Sequence, residues 1–174
     1  MTKQMPAAPL LALLLASLAT STLAARGPST PDERAAMATK MRAAESLPLD
    51  KSSAQARTEL FKWVAEVPDV NVKWCAGLLL EAGESNKELA GALLVQAMLS
   101  AAAFTLENPN AGTDTLLVSR AGIRGALKAY RATIVAKPKK AVPFLDNLAK
   151  RDEAGTLDEY ISPKLARVFT VLCG

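Results

Sequence analysis

The chain has no histidine, only two cysteines and few aromatic residues, 5% of its 174 positions. Without an imidazole there is no Ser-His-Asp triad, no Cys-His nucleophile and no His-ligated zinc. Cys75 and Cys173 lie too far apart in sequence for a C-x-x-C redox pair or a metal-spaced set. No G-x-S-x-G, no glycine-rich phosphate loop and no Asp-rich calcium loop occurs. Serines and lysines are present for a Ser-Lys nucleophile, but no spacing singles one pair out. The expectation is therefore no cofactor, no metal and no assignable catalytic residue.

Half of the residues are hydrophobic and 22% are charged, a globular rather than disordered composition. The length suits one domain. Residues 1–24 read as a signal peptide: Lys3 supplies the positive start, Leu10 to Ala19 an apolar run too short to span a bilayer, and Thr22-Leu23-Ala24 a small-residue exit. Cleavage there leaves residues 25–174 as a single domain in a periplasmic or extracellular space. An exported protein meets an oxidising compartment, so Cys75 and Cys173 are expected to form a disulfide. The chain-entropy model gives a loop of that size about 4–5 kcal/mol as an upper figure.

Helix start and stop signals recur along the domain, and strand alternation is nearly absent. Thr30-Pro31-Asp32-Glu33 is a capping box that opens a helix to about Glu45. Leu47-Pro48-Leu49 breaks it, and Asp50 caps the next, which ends at Pro68-Asp69. Val70, Val72 and Trp74 alternate as in a short strand, but Leu78 to Leu80 and Gly83 favour a helix over 70–82. Ser85 to Glu88 is a second capping box, opening a helix to about Glu107. A long helix follows from Thr113 or Asp114 to about Ala136, and Pro143 opens a shorter one that ends near Gly155. Thr156 to Glu159 forms a third box, and Ser162-Pro163 restarts a final helix that reaches Cys173. The predicted fold is all-α, a compact multi-helix bundle or orthogonal array of about seven helices. A tetratricopeptide-like repeat is an alternative: Ala97 and Pro109, and Ala126 and Pro138, recur at the same spacing, although the prolines lie 29 apart rather than roughly 34.

Leu89 to Leu106 carries no charge. That is the lower edge of a membrane span, but Gln96, Ser100 and the many alanines suit a crowded bundle better. The segment is predicted to be the central helix, with no stable membrane span in the mature chain.

Charge is uneven. Between Arg120 and Arg151 there are nine bases and one acid, Asp146. On a helix, Arg120, Arg124, Lys128 and Arg131 share an arc of about 80°. Ile123, Leu127, Tyr130 and Ile134 share an adjoining apolar arc of about 60°. Ala121, Gly122, Gly125, Ala129, Ala132 and Ala136 form a third, small-residue face that lets another helix approach. The basic strip, extended by Lys137, Lys139 and Lys140, could hold an acidic protein or an anionic envelope component. Its plainer reading is a solvated face balanced by Glu107, Asp152, Glu153, Asp158 and Glu159. Nucleic acid is not expected, because aromatics are scarce beside the strip and the rest of the domain is acidic. Met37 and Met41 read as core, Trp63 and Trp74 as packing anchors, and the Glu81/Glu84 and Asp158/Glu159 pairs as structural or capping acids. No motif assigns an activity. The expectation is an exported, non-catalytic helical interaction domain. A small periplasmic enzyme using carboxylate, Lys or Ser chemistry and a tetratricopeptide-like adaptor are the alternatives.

Overall fold

A computed structural model describes residues 26–75, 77–84 and 86–168. The predicted signal peptide, residues 1–24, and Cys173 lie outside the described residues. Within them the protein is all-helical. Helices α1 (Pro31–Ala44), α2 (Lys51–Glu66), α3 (Lys87–Glu107), α4 (Thr115–Ala136), α5 (Pro143–Glu153) and α6 (Leu157–Val168) are joined by short links, with 3-10 segments at Gly77–Glu84 and Pro138–Lys140.

The caps behave as the side chains dictate. Thr30 Oγ1 accepts from the Glu33 N–H at 3.2 Å, Asp50 from Ser52 at 3.0 Å, Asn86 from Leu89 at 3.0 Å, and Asp114 from Leu116 and Leu117. The first capping box is only half closed. The Glu33 carboxylate turns away to accept from Trp63 Nε1 at 2.8 Å and to pair with Arg26.

Three sequence expectations are corrected. The cap of α3 sits one residue later than the Ser85 read from the sequence: Asn86 caps the helix, because its side chain reaches the Leu89 N–H. Residues 70–75 form no helix, and helix of the 3-10 kind starts only at Gly77. Val70, Val72 and Trp74 all pack on the core formed by α1, α2 and α3 while Asn71 and Lys73 face solvent. A period of two therefore governs this stretch, without a partner strand among the described residues. At the other end, Ser162-Pro163 starts no new helix: α6 runs through Pro163 from Leu157. Glu159 and Pro163 are both exposed, so the carbonyl that proline leaves without an N–H donor lies on the solvent side of the helix.

Helix α3 is the centre. It packs against α1, α2, α4 and the first 3-10 segment. Leu93, Ala97, Leu99 and Ala101 to Ala103 are fully enclosed, although the helix is long and apolar enough to cross a membrane. One core cluster joins its N-terminal half to α4, α5 and α6 through Leu93, Ile123, Leu127, Leu145 and Ile161. The other joins its C-terminal half to α1 and α2 through Met41, Leu60, Trp63 and Leu99, and Met37 packs on its edge.

The three faces of α4 separate as the helical wheel requires. Ile123, Leu127 and Tyr130 are buried, and Ile134 packs at the core's edge. On the small face Gly122, Gly125 and Ala129 are buried, whereas Ala136 at the helix end is exposed. A Cβ on Gly122 would sit 2.7 Å from the Ala97 carbonyl oxygen, so α3 and α4 touch backbone to side there. Tyr130 closes the far end: its hydroxyl accepts from the Val142 N–H at 2.8 Å and donates to Asp146 at 2.6 Å. Burial, reinforced by Asp146, pushes the Tyr130 phenol up to about 12.

Candidate functional site

The predicted basic strip is split in two by the fold. On α4, Arg120, Arg124 and Lys128 meet Arg42 of α1 around a groove of about 320 Å³ floored by Phe104, Leu117 and Gly125. Arg131 lies on the same strip but is turned to Asp152, at 3.0 Å. Lys137 and Lys140 belong to the 3-10 turn after α4 and line a separate depression with Asp50, Lys51 and Glu88. Lys139 on that turn is exposed.

Most of these cations already have acidic partners. Arg124 reaches Asp158 at 2.9 Å and Asp152 at 3.4 Å. Arg120 donates to Ser162 at 2.5 Å and lies 3.9 Å from Asp158. Lys137 donates to Asp50 at 2.8 Å, and Lys140 lies 4.0 Å from Glu88. Lys137 together with Ser52 holds the Asp50 carboxyl well below the usual range. Of the balancing acids expected from sequence, Asp152 and Asp158 serve the strip, while Glu107 takes Arg42 in a two-pronged pair at 2.6 and 3.1 Å. Pairs this exposed are worth little individually.

A residue that sequence reasoning passed over sits beneath the groove. Glu45 caps α1, and its side chain is 3% exposed. Its Oε1 accepts from Arg42 at 2.7 Å and its Oε2 from Lys128 at 2.9 Å. The Ser100 hydroxyl faces the same carboxylate. The Ser100 hydroxyl also accepts from Gln96 Nε2 at 3.1 Å, and Gln96 Oε1 accepts from Arg57 Nε at 2.7 Å. A continuous polar chain thus crosses the interior from α2 through α3 to α1 and α4. Burial pushes the Glu45 carboxyl up, but Lys128, Arg42 and Ser100 outweigh it and hold the group below its ordinary 4.5.

Serine, lysine and carboxylate therefore converge, yet the geometry is that of an ion pair with a supporting hydroxyl. The Lys128 ammonium donates to Glu45, and Ser100 is wholly buried. A Cβ on Gly125 would land on the Ser100 side chain and 2.6 Å from Glu45 Oε1, so the helix backbone at Gly125 roofs the serine. A substrate in the groove meets Gly125, not the hydroxyl.

The depressed Glu45 pKa fixes a sign. A carboxyl held below its unfolded value contributes stability above that value and loses it as pH falls through the folded value. Glu45→Gln should cost about 2 kcal/mol near neutrality, the order of a hydrogen-bonded charge. That gap should narrow below about pH 4.5, as the wild-type carboxyl protonates. Urea unfolding of both proteins across pH 3–7 reads it directly; parallel curves would contradict the assignment.

Set against known protein families, curated proteins and solved structures, the chain matches no family model, no curated sequence and no solved fold.

Proposed function

We propose that the protein is an exported, non-catalytic helical domain that binds an anionic partner, an acidic protein or an envelope component, through the α4 groove. The observation that carries this is the groove's lining: Arg42, Arg120, Arg124 and Lys128, with Asp158 the one acid in the wall and Glu45, Glu107 and Asp152 pairing from outside it, over a floor that includes the half-exposed Leu117. Guanidinium groups beside exposed apolar surface suit a carboxylate-rich partner that also offers an apolar contact. Such a partner competes with Asp152 and Asp158 for Arg120 and Arg124, which favours modest affinity and steep salt dependence.

Export carries the disulfide with it. Cys75 is 1% exposed, and its N–H donates to Ser119 at 2.9 Å. Two residues on, a Cβ at Gly77 would land on the Val168 side chain, at the end of α6 and five positions before Cys173. The chain's last described turn thus lies beside Cys75, which favours a Cys75–Cys173 bridge in the oxidised protein.

Arg120 and Arg124 are the positions to reverse, because Lys128 also neutralises Glu45. Binding of the double Arg→Glu variant to poly-glutamate and to anionic vesicles should fall by about tenfold or more at low salt. Its far-ultraviolet circular dichroism should match the wild type. Unchanged binding to both probes, or no wild-type binding to either, would overturn the assignment.

A further inference from the structure

A second cavity lies apart from the α4 groove and shares no lining residue with it. Between α2 and α3 a cleft of about 220 Å³ is lined by Leu49, Ala54, Gly91, Ala92 and Val95, with Arg57 at its base. It is open because the wall is built from small residues: a Cβ on Gly91 would find nothing within 4 Å. A cavity of roughly 150 Å³ holds one benzene ring, and drug-sized pockets start at about 300 Å³. This cleft is therefore sized for one ring or one short alkyl chain.

Its electrostatics are asymmetric. Arg57 is 3% exposed, and all five hydrogen-bond acceptors of its guanidinium are neutral oxygens, so its charge is not cancelled by contact. The acid whose field it feels is Asp50. Asp50, Lys51 and Glu88 at the cleft's mouth also line the adjoining depression of about 340 Å³, which adds Lys137 and Lys140. Four cations thus face two carboxylates. Asp50 is occupied in capping α2 and pairing with Lys137, and Lys51 makes no ion pair among the described residues.

We infer that this cleft binds a small amphiphilic monocarboxylate, a free organic acid whose ring or short chain fills the space beside Gly91 and whose carboxylate rests between Lys51 and Lys140. The apolar walls supply burial and the lysines supply direction. Arg57 acts through its field, because its five N–H groups are already engaged inside the protein.

Octanoate is the probe, with octanol lacking the charge and propionate lacking the tail. A ligand of ten heavy atoms at ordinary efficiency should bind with a Kd of about 1 mM. Chemical-shift titration should show octanoate perturbing the Gly91 and Ala54 amides, with octanol and propionate at least about tenfold weaker. Gly91→Leu, whose Cβ would meet nothing within 4 Å, puts a side chain into the cleft and should abolish binding while the unfolding temperature holds or rises. Lys51→Gln with Lys140→Gln should weaken octanoate several-fold and leave octanol unchanged. Octanoate binding that survives Gly91→Leu, equal binding of octanol, or no octanoate binding would each overturn the inference. A peptide ending in phenylalanine that bound at least tenfold tighter than octanoate would overturn the free acid in favour of a chain terminus.

Discussion

Arg57→Ala should destabilise the protein by about 3–5 kcal/mol, because five buried or half-buried acceptors lose a charged donor at about 1 kcal/mol or less each. In a domain of this size that lowers the unfolding temperature by roughly 10 °C. The reason lies in what the guanidinium holds. Nη2 donates to the Ala44 and Leu47 carbonyls at 2.9 and 2.8 Å, Nη1 to the Pro48 carbonyl at 3.1 Å and to Ser53, and Nε to Gln96. Three of those five acceptors are backbone carbonyls at and beyond the end of α1, where helices leave orphan acceptors and a negative dipole end. A buried ion pair can often be exchanged for apolar residues at little cost. Here the partners are main chain and cannot be mutated away, so Arg57→Met should fare nearly as badly as alanine. Arg57→Lys keeps the charge and up to three donors, and should recover part of the loss. Denaturant unfolding of the three variants decides this. An Arg57→Met protein within about 1 kcal/mol of wild type would show that the guanidinium is not holding the α1–α2 break.

The apolar pattern and the caps made much of this fold legible. Thr30, Asp50 and Asp114 cap where a short polar side chain precedes an apolar run, and α3 is central because Leu89 to Leu106 carries no charge with which to build a solvent face. The wheel of α4 also separated correctly, since its three faces differ in both size and charge. What failed was competition between periods. Leu78 to Leu80 read as the continuation of a helix begun at Val70, whereas Val70, Val72 and Trp74 obey the extended period and need no ladder to do so. The basic strip was visible, but not its division, because Asp50, Glu88, Asp152 and Asp158 reach it only through tertiary packing.

The buried polar chain had a sequence signal of its own. Ser53, Arg57 and Leu60 fall at i, i+4 and i+7 on α2, so two polar residues occupy the stripe that faces the core. Gln96 and Ser100 repeat the pattern at i, i+4 inside Leu89 to Leu106, a stretch without a charge. Polar residues on the inward stripes of two helices have to find each other or be left unsatisfied, which is a reason to pair α2 with α3. Glu45 gave no such warning. It follows the last turn of α1 beside a proline break, a place where an exposed acid is unremarkable.

Gly122→Leu should abolish folding. The α3–α4 contact is the broadest in the protein. Where α4 meets the α3 main chain, the atom opposing a Gly122 Cβ is the Ala97 carbonyl oxygen, at 2.7 Å, with Ala101 Cβ next at 3.4 Å. A backbone carbonyl inside a central helix cannot rotate aside as a side chain can, so even alanine must push α3 bodily away. Gly122→Ala should lose about 2–3 kcal/mol despite its better helix propensity, and the leucine variant should not fold. Gly91 is the internal control. It too lies within a helix, α3, but faces open space, so Gly91→Ala should gain about 0.5–1 kcal/mol from propensity alone. Opposite signs for the same glycine-to-alanine change, read by thermal unfolding, would locate the stability of the domain in the closeness of two helices. Like signs would mean that α3 and α4 stand further apart than 2.7 Å at that point allows.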